Sequence, residues 1–167
     1  MIRSSEIEGN YRYLLHIPVS DEGKKILFLM CNPSTADLYK EDTTTRNLKK
    51  WAKQNGVGVI IVGNIYAYRT SRPEALQSLK VAEAVGEKNI DAIIRASSEA
   101  DEVIIAWGDP PKSRPIFEFN KLKNEILEII KKKHSNVYRI GTKTKSGQPR
   151  HPRTWYMRDD REKTVHH

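Results

Sequence analysis

The sequence predicts an α/β fold of three layers: a mostly parallel sheet of four to five strands with helices on both faces. Two observations carry this. Short apolar, β-branched runs alternate with longer stretches of helical periodicity along the 167 residues, the pattern of parallel strands joined by helical crossovers. One run, Ile26-Leu27-Phe28-Leu29-Met30-Cys31, is apolar at every position and therefore needs cover on both faces, as a central strand has.

The elements follow in order. Tyr11 to Pro18 and Lys25 to Cys31 read as strands joined by the turn Ser20-Asp21-Glu22-Gly23, a hairpin expected to add an antiparallel edge strand. A polar loop, Asn32 to Asp42, leads into a helix from Thr44 to Asn55. Asp42 or Thr43 caps it, Leu48, Trp51 and Ala52 form its apolar stripe, and Gly56 stops it. Val57 to Gly63 is a second buried strand. Pro73 suits a first helical turn, so a short helix is expected from Glu74 to Lys80, and a longer one from Glu87 to Ala100. Glu102 to Trp107 is a third core strand, and Gly108-Asp109-Pro110-Pro111 breaks the chain. The clearest helix, Pro115 to Lys132, carries Ile116, Phe119, Leu122, Ile126 and Ile129 at helical spacing. Asn136 to Ile140 is the last strand. Residues 1–155 read as a single domain and 156–167 as a charged tail.

Open α/β sheets bind ligands outside the carboxyl ends of their strands, and the loops that fall there are chemically unusual. Asn32-Pro33-Ser34 follows the second strand, Asn64-Ile65-Tyr66 the third, Trp107-Gly108-Asp109 the next, and Gly141 to His151 the last. A polar pocket on that rim is the expected site.

Composition narrows the chemistry. The longest apolar run is far short of the roughly 20 residues a membrane helix needs, and the polar, acidic Met1 to Gly9 lacks signal-peptide character. The single cysteine, Cys31, excludes an internal disulfide, a cysteine-ligated cluster and a multi-cysteine zinc site. A cytoplasmic protein without membrane contact is expected. No His or Cys spacing points to a metal, and no Gly-rich phosphate or dinucleotide loop points to a cofactor, since Gly56 and Gly58 precede a strand rather than follow one. Basic residues outnumber acidic ones by 29 to 21. From Tyr138 to Arg158 there are Arg139, Lys143, Lys145, Arg150, Arg153 and Arg158 and no acid, which is either a phosphate footprint or a solvated loop.

Each rim residue carries a functional and a structural reading. Asn32, fixed by Pro33, either orients a water or ligand edge or satisfies its own turn. Ser34 lacks the glycine-flanked setting of a nucleophile and reads as a cap or phosphate contact. Asp42 reads as a cap or a site carboxylate. Arg46 opposes the dipole of its helix, which a ligand would explain; the alternative is an ordinary surface arginine. Asn64, Tyr66 and Arg69 combine an amide, an aromatic face and a guanidinium suited to a base and its phosphate, whereas Tyr66 also suits packing. Trp107 reads as core or ligand contact. His151, between Arg150 and Pro152 in an acid-free loop, is the histidine best placed for chemistry. His166 and His167 end the chain, as a purification tag would, and are set aside.

Met30 to Asp37, Asp42 to Arg46, Asn64-Ile65-Tyr66-Ala67, Ala106-Trp107-Gly108 and Gly147-Gln148-Pro149-Arg150-His151-Pro152 together resemble domain of unknown function 1643, a family of small bacterial and phage proteins. The likeness spans Tyr11 to Trp155 and implies no reaction. More distantly, Cys31-Asn32-Pro33 and Arg150-His151-Pro152-Arg153 are similar to the two main motifs of the uracil-DNA glycosylase superfamily. That resemblance implies a uracil-DNA-glycosylase-like fold, with Asn32 orienting the attacking water, His151 contacting the base carbonyl and Asn64 helping to read the base. Several positions depart from the pattern. Asn32 replaces the stronger Asp, Met30 and Cys31 replace a Gly, and Arg153 replaces a Ser. No Leu wedge follows His151, so Trp155 or Arg153 is expected to fill that role, and Tyr39 to stack on the base. The expectation is an N-glycosylase-like enzyme needing no metal or cofactor, with DNA gripped by Lys143, Lys145, Arg150 and Arg153. The alternatives are a non-catalytic nucleic-acid or nucleotide-binding module, and an enzyme acting on a free nucleotide. Nothing in the sequence speaks to oligomeric state.

Overall fold

A computed structural model of the chain describes residues 2–33, 41–157 and 162–167. Seven strands form one mixed sheet in the order β1-β2-β4-β3-β5-β6-β7. They are β1 (Ser4–Glu8), β2 (Tyr11–Pro18), β3 (Lys24–Met30), β4 (Val57–Asn64), β5 (Glu102–Ile105), β6 (Val137–Ile140) and β7 (Lys163–Val165). The central four, β4-β3-β5-β6, are parallel, and β2, β1 and β7 run antiparallel to their neighbours. The helices are α1 (Thr43–Gln54), α2 (Val81–Val85), α3 (Asn89–Glu99) and α4 (Ile116–Lys131), with 3₁₀ turns at Pro73–Ser78 and Pro152–Met157.

The α/β class is as expected; the sheet is larger and ordered differently. β1 and β7 add two short strands of mostly polar residues, the second lying within the stretch expected as a tail. The expected hairpin does not pair with itself, because β4 lies between β2 and β3. A close backbone approach makes this possible. The turn after β2 straddles the start of β4, with Val19 N–H on Gly58 O at 2.8 Å and Lys24 N–H on Gly56 O at 3.1 Å. A Cβ on Gly23 would lie 2.5 Å from Gly56 O, and one on Gly58 would lie 2.9 Å from Glu22 O. The expected 74–80 helix is instead a 3₁₀ turn followed by α2, because Leu79 takes an extended conformation between them.

The crossovers explain the layers. The step β3-α1-β4 moves one way across the sheet; the chain then returns over β3 through α3 to β5 and continues through α4 to β6. Right-handed crossovers place α1 on one face and α3 and α4 on the other. The core divides accordingly. Leu27, Leu29, Ile61, Ile93, Ile105 and Phe119 fill the α3/α4 side, and Phe28, Leu48, Trp51, Ile60, Ile104 and Trp155 fill the α1 side. Trp155 therefore serves as packing, not as a wedge: its ring lies 6.2 Å from Phe28 and 6.3 Å from Trp51, centroid to centroid. Its burial anchors the 152–157 turn against α1, at about 1.5–3 kcal/mol for a large apolar side chain. Among the described residues no helix is long and apolar enough to cross a membrane.

Candidate functional site

The direction of winding reverses between β3 and β5, so the loops leaving their carboxyl ends part toward opposite faces and open a crevice. A cleft of about 320 Å³ occupies that crevice. Met30 to Pro33 line it from the end of β3, Trp107, Gly108, Asp109 and Pro111 from the loop after β5, His151 and Arg153 from the loop after β6, and Thr44 from the start of α1.

The loop after β6 is built to hold His151. Gly108 donates its N–H to Pro149 O at 3.0 Å, and Trp107 Nε1–H and Lys123 Nζ both reach Gln148 Oε1, at 3.1 and 3.0 Å. His151 O accepts the N–H and the hydroxyl of Thr154, each at 2.9 Å. Asn47 of α1 donates to Pro152 O at 2.8 Å. Gly108 takes φ of +75°, and a Cβ there would lie 3.1 Å from His151 Cβ. A glycine at 108 lets the two loops touch.

Burial, reinforced by the Arg153 charge and partly offset by Asp42, brings His151 down to about 4, so the ring is neutral at pH 7. Its Nδ1 accepts the backbone N–H of Arg153 at 3.2 Å. The single proton of the neutral ring is thereby assigned to Nε2, which becomes a hydrogen-bond donor. Across the cleft, Asn32 is half-buried and its Oδ1 is a buried acceptor with no partner among the described residues. Asp109 Oδ1 accepts from Thr144 Oγ at 2.6 Å and from Ser146 Oγ, and these hydroxyls hold its carboxyl below the usual range. Burial pushes the Cys31 thiol far up, so it stays protonated and unreactive.

Asn64 ends β4 in register with Met30 of β3. It is 1% exposed, and neither its Nδ2 nor its Oδ1 has a partner among the described residues. Its backbone is held by Asn89, whose Nδ2 donates to Asn64 O at 2.9 Å and Ile65 O at 3.1 Å. Asn64 stands one strand from the cleft, beside a residue that lines it.

The structure thus brings together Asn32, Pro33, Trp107, His151 and Arg153, with Asn64 alongside. Asp42 stays at the edge as the cap of α1, its Oδ1 accepting Thr45 N–H at 2.8 Å. Arg46 is exposed and bonds Thr43 Oγ at 3.1 Å, away from the lining. Tyr66 is fully buried in the opposite core half, its hydroxyl on Glu118 Oε1 at 3.0 Å. Arg114 completes that buried cluster with two bonds to Glu118, at 2.8 and 2.7 Å. Tyr66 is therefore a packing residue, not a base contact. Arg69 is tied by its N–H to Asn10 O at 2.7 Å, outside the lining. Lys143 and Lys145 are exposed on the loop after β6, and Arg150 is bound back to Thr142 Oγ and Lys143 O. Ser34 and Tyr39 lie outside the described residues. Thr44, Asp109 and Pro111 line the cleft without being singled out by the sequence, although Asp109 ends the rim loop Trp107-Gly108-Asp109.

Residues 12–153 match the model of a family described as protein of unknown function DUF1643. No curated protein and no solved structure gives a significant match, and the uracil-DNA glycosylase superfamily is among none of these findings.

Proposed function

We propose a function read from the site for this chain, which belongs to the DUF1643 family of proteins of unknown function: it is an N-glycosylase-like enzyme that flips a base out of DNA into the switch-point cleft and hydrolyses its glycosidic bond, on a uracil-DNA-glycosylase-like variant of the α/β fold. The observation that carries this reading is the pairing, across one cleft, of a neutral His151 donor with the unbonded Asn32 acceptor.

The chemistry follows from those two groups. Asn32 Oδ1 accepts a hydrogen bond from a water and holds its oxygen toward the anomeric carbon. As that C–O bond forms, the C–N bond breaks and its electron pair leaves with the base. His151 Nε2–H donates to the carbonyl oxygen on which that charge collects, a fixed donor aimed at developing charge. Being neutral, His151 stabilises the leaving base without protonating it first; the base takes up the proton that the water releases. The ionised Asp109 faces the positive charge that develops on the sugar. An amide cannot abstract a proton, so turnover is slow by the standard of carboxylate-assisted hydrolysis. Trp107 and Pro33 flank the base, and Lys143, Lys145, Arg150 and Arg153 hold phosphates.

The volume of the cleft also suits a single nucleotide, which favours, as a second reading, a module that binds a free nucleotide without cleaving it. Incubation with oligonucleotides carrying uracil, hydroxymethyluracil, hypoxanthine or a mismatch, followed by alkali, separates the two. Strand breaks at the altered position are expected; intact strands throughout, with saturable binding of a free nucleotide, would establish the second reading.

A further inference from the structure

Away from the cleft, at the β1 edge of the sheet, the surface changes character. A cavity of about 520 Å³ lies between the β1–β2 turn and α2, lined by Tyr11, Tyr13 and Tyr68 with Glu8, Glu83 and Glu87. Tyr11 and Tyr13 lie nearly parallel, 3° apart in plane with centroids at 5.9 Å, and Tyr68 stands at 85° to Tyr11 at 5.6 Å. The three rings therefore make a flat wall and an upright one. Gly86 permits this: at φ +86°, a Cβ there would lie 2.8 Å from the Tyr11 ring and 3.2 Å from that of Tyr13. A side chain at 86 would stand too close to both rings for them to keep this arrangement.

Two further facts single the cavity out. Its lining carries three carboxylates against one ammonium, Lys88, in a chain of formal charge +8. Tyr13 is 6% exposed, and its hydroxyl bonds to no described residue although the side chain lines this cavity. Lys88 Nζ binds Glu8 at 2.5 Å, so the site already holds one ammonium group at one end. At the other end Glu83 caps α2 through Lys80 N–H at 2.7 Å, and Glu87 makes no hydrogen bond or ion pair to a described residue.

We infer that this cavity binds an organic cation bearing N–H groups, an alkylammonium or guanidinium, between the faces of the tyrosines and the carboxylates of Glu83 and Glu87. The ring faces attract the charge, the carboxylates and the Tyr13 hydroxyl accept its hydrogens, and the apolar walls take its methylene stem. The site is independent of the cleft, and it lies where an acidic surface would repel a nucleic-acid backbone.

The test is titration of the full chain with agmatine, with n-butylamine and with an N-acetylated, amidated Gly-Arg-Gly peptide, at constant ionic strength set by sodium chloride. Binding is followed through tyrosine fluorescence and the amide resonances of Gly9, Asn10 and Gly86. Saturable binding is expected, weakened about fivefold by Tyr68→Leu, the size of one cation–π contact. Glu87→Gln, an exposed change that leaves the fold alone, should weaken it comparably, while Asn32→Ala and His151→Ala leave it unchanged. A peptide that binds more tightly than agmatine marks a partner's arginine as the occupant; equal affinities mark a free amine. Changes that do not saturate, that sodium chloride reproduces, or that persist undiminished in both Glu87→Gln and Tyr68→Leu would overturn the inference.

Discussion

Asn64→Leu should make the protein more stable. Asn64 is 1% exposed, ends a strand buried along its whole length, and has neither amide atom bonded to a described residue. A buried polar group without a partner costs about 1–3 kcal/mol, and replacing it by an apolar group of similar shape recovers that cost. In a chain of this size each kcal/mol moves the melting temperature by about 2–4 °C. Ligand-free Asn64→Leu should therefore melt about 2–12 °C above the parent in thermal unfolding followed by far-ultraviolet circular dichroism. Asn64→Asp should go the other way, because it buries a charge in the same place. A lower melting temperature for Asn64→Leu would refute the reasoning, since it would mean that the amide is satisfied in the free protein and is retained for folding.

Gly108→Ala should cost about 1–2 kcal/mol from the left-handed backbone alone and displace His151, whose Cβ a methyl at 108 would approach to 3.1 Å; an unchanged melting temperature together with an unchanged His151 ring resonance would contradict this. Acid should destabilise the fold through the same histidine. Its folded-state value of about 4 lies below the ordinary 6.5, so the unfolded chain binds the extra proton. The contribution is complete above pH 6.5 and is lost as pH falls toward 4, by about 3 kcal/mol in all. His151→Gln should lose correspondingly less stability than the parent between pH 7 and pH 4 in urea unfolding, and parallel curves would count against a neutral, half-buried ring. If Lys143, Lys145, Arg150 and Arg153 each neutralise a phosphate, duplex affinity should fall about 100-fold between 50 and 200 mM salt. A nearly flat response by fluorescence anisotropy would point to a compact nucleotide site instead.

The parts of this molecule legible in the sequence were those set by local pattern. The unbroken apolar run at 26–31 marks β3 as central, and the rule that ligands sit at strand carboxyl ends puts Asn32, Trp107 and His151 on one rim. What escaped depends on partners far along the chain. β4 separates β2 from β3 because Gly23, Gly56 and Gly58 allow backbones to meet, and no periodicity encodes that meeting. Tyr66, in a polar and aromatic stretch, reads as a ligand contact until Glu118 and Arg114 are found beside it, 52 and 48 residues away. Asp109 reads as part of a chain-breaking loop until Thr144 and Ser146 fold back onto its carboxylate. β1 and β7 are too short and too polar to signal themselves, and each joins the sheet by backbone pairing with a neighbour already in place.

The most direct test of the central claim is base release by the parent and by Asn32→Ala and His151→Ala, measured chromatographically as free base from a DNA duplex carrying a single uracil, hydroxymethyluracil, hypoxanthine or mismatched base. The account predicts release of one of these bases by the parent, and its loss in both variants, with melting temperatures within a few degrees of the parent and duplex binding retained. Release that persists in both folded variants, or no release of any base by a parent that binds the duplex, would contradict it.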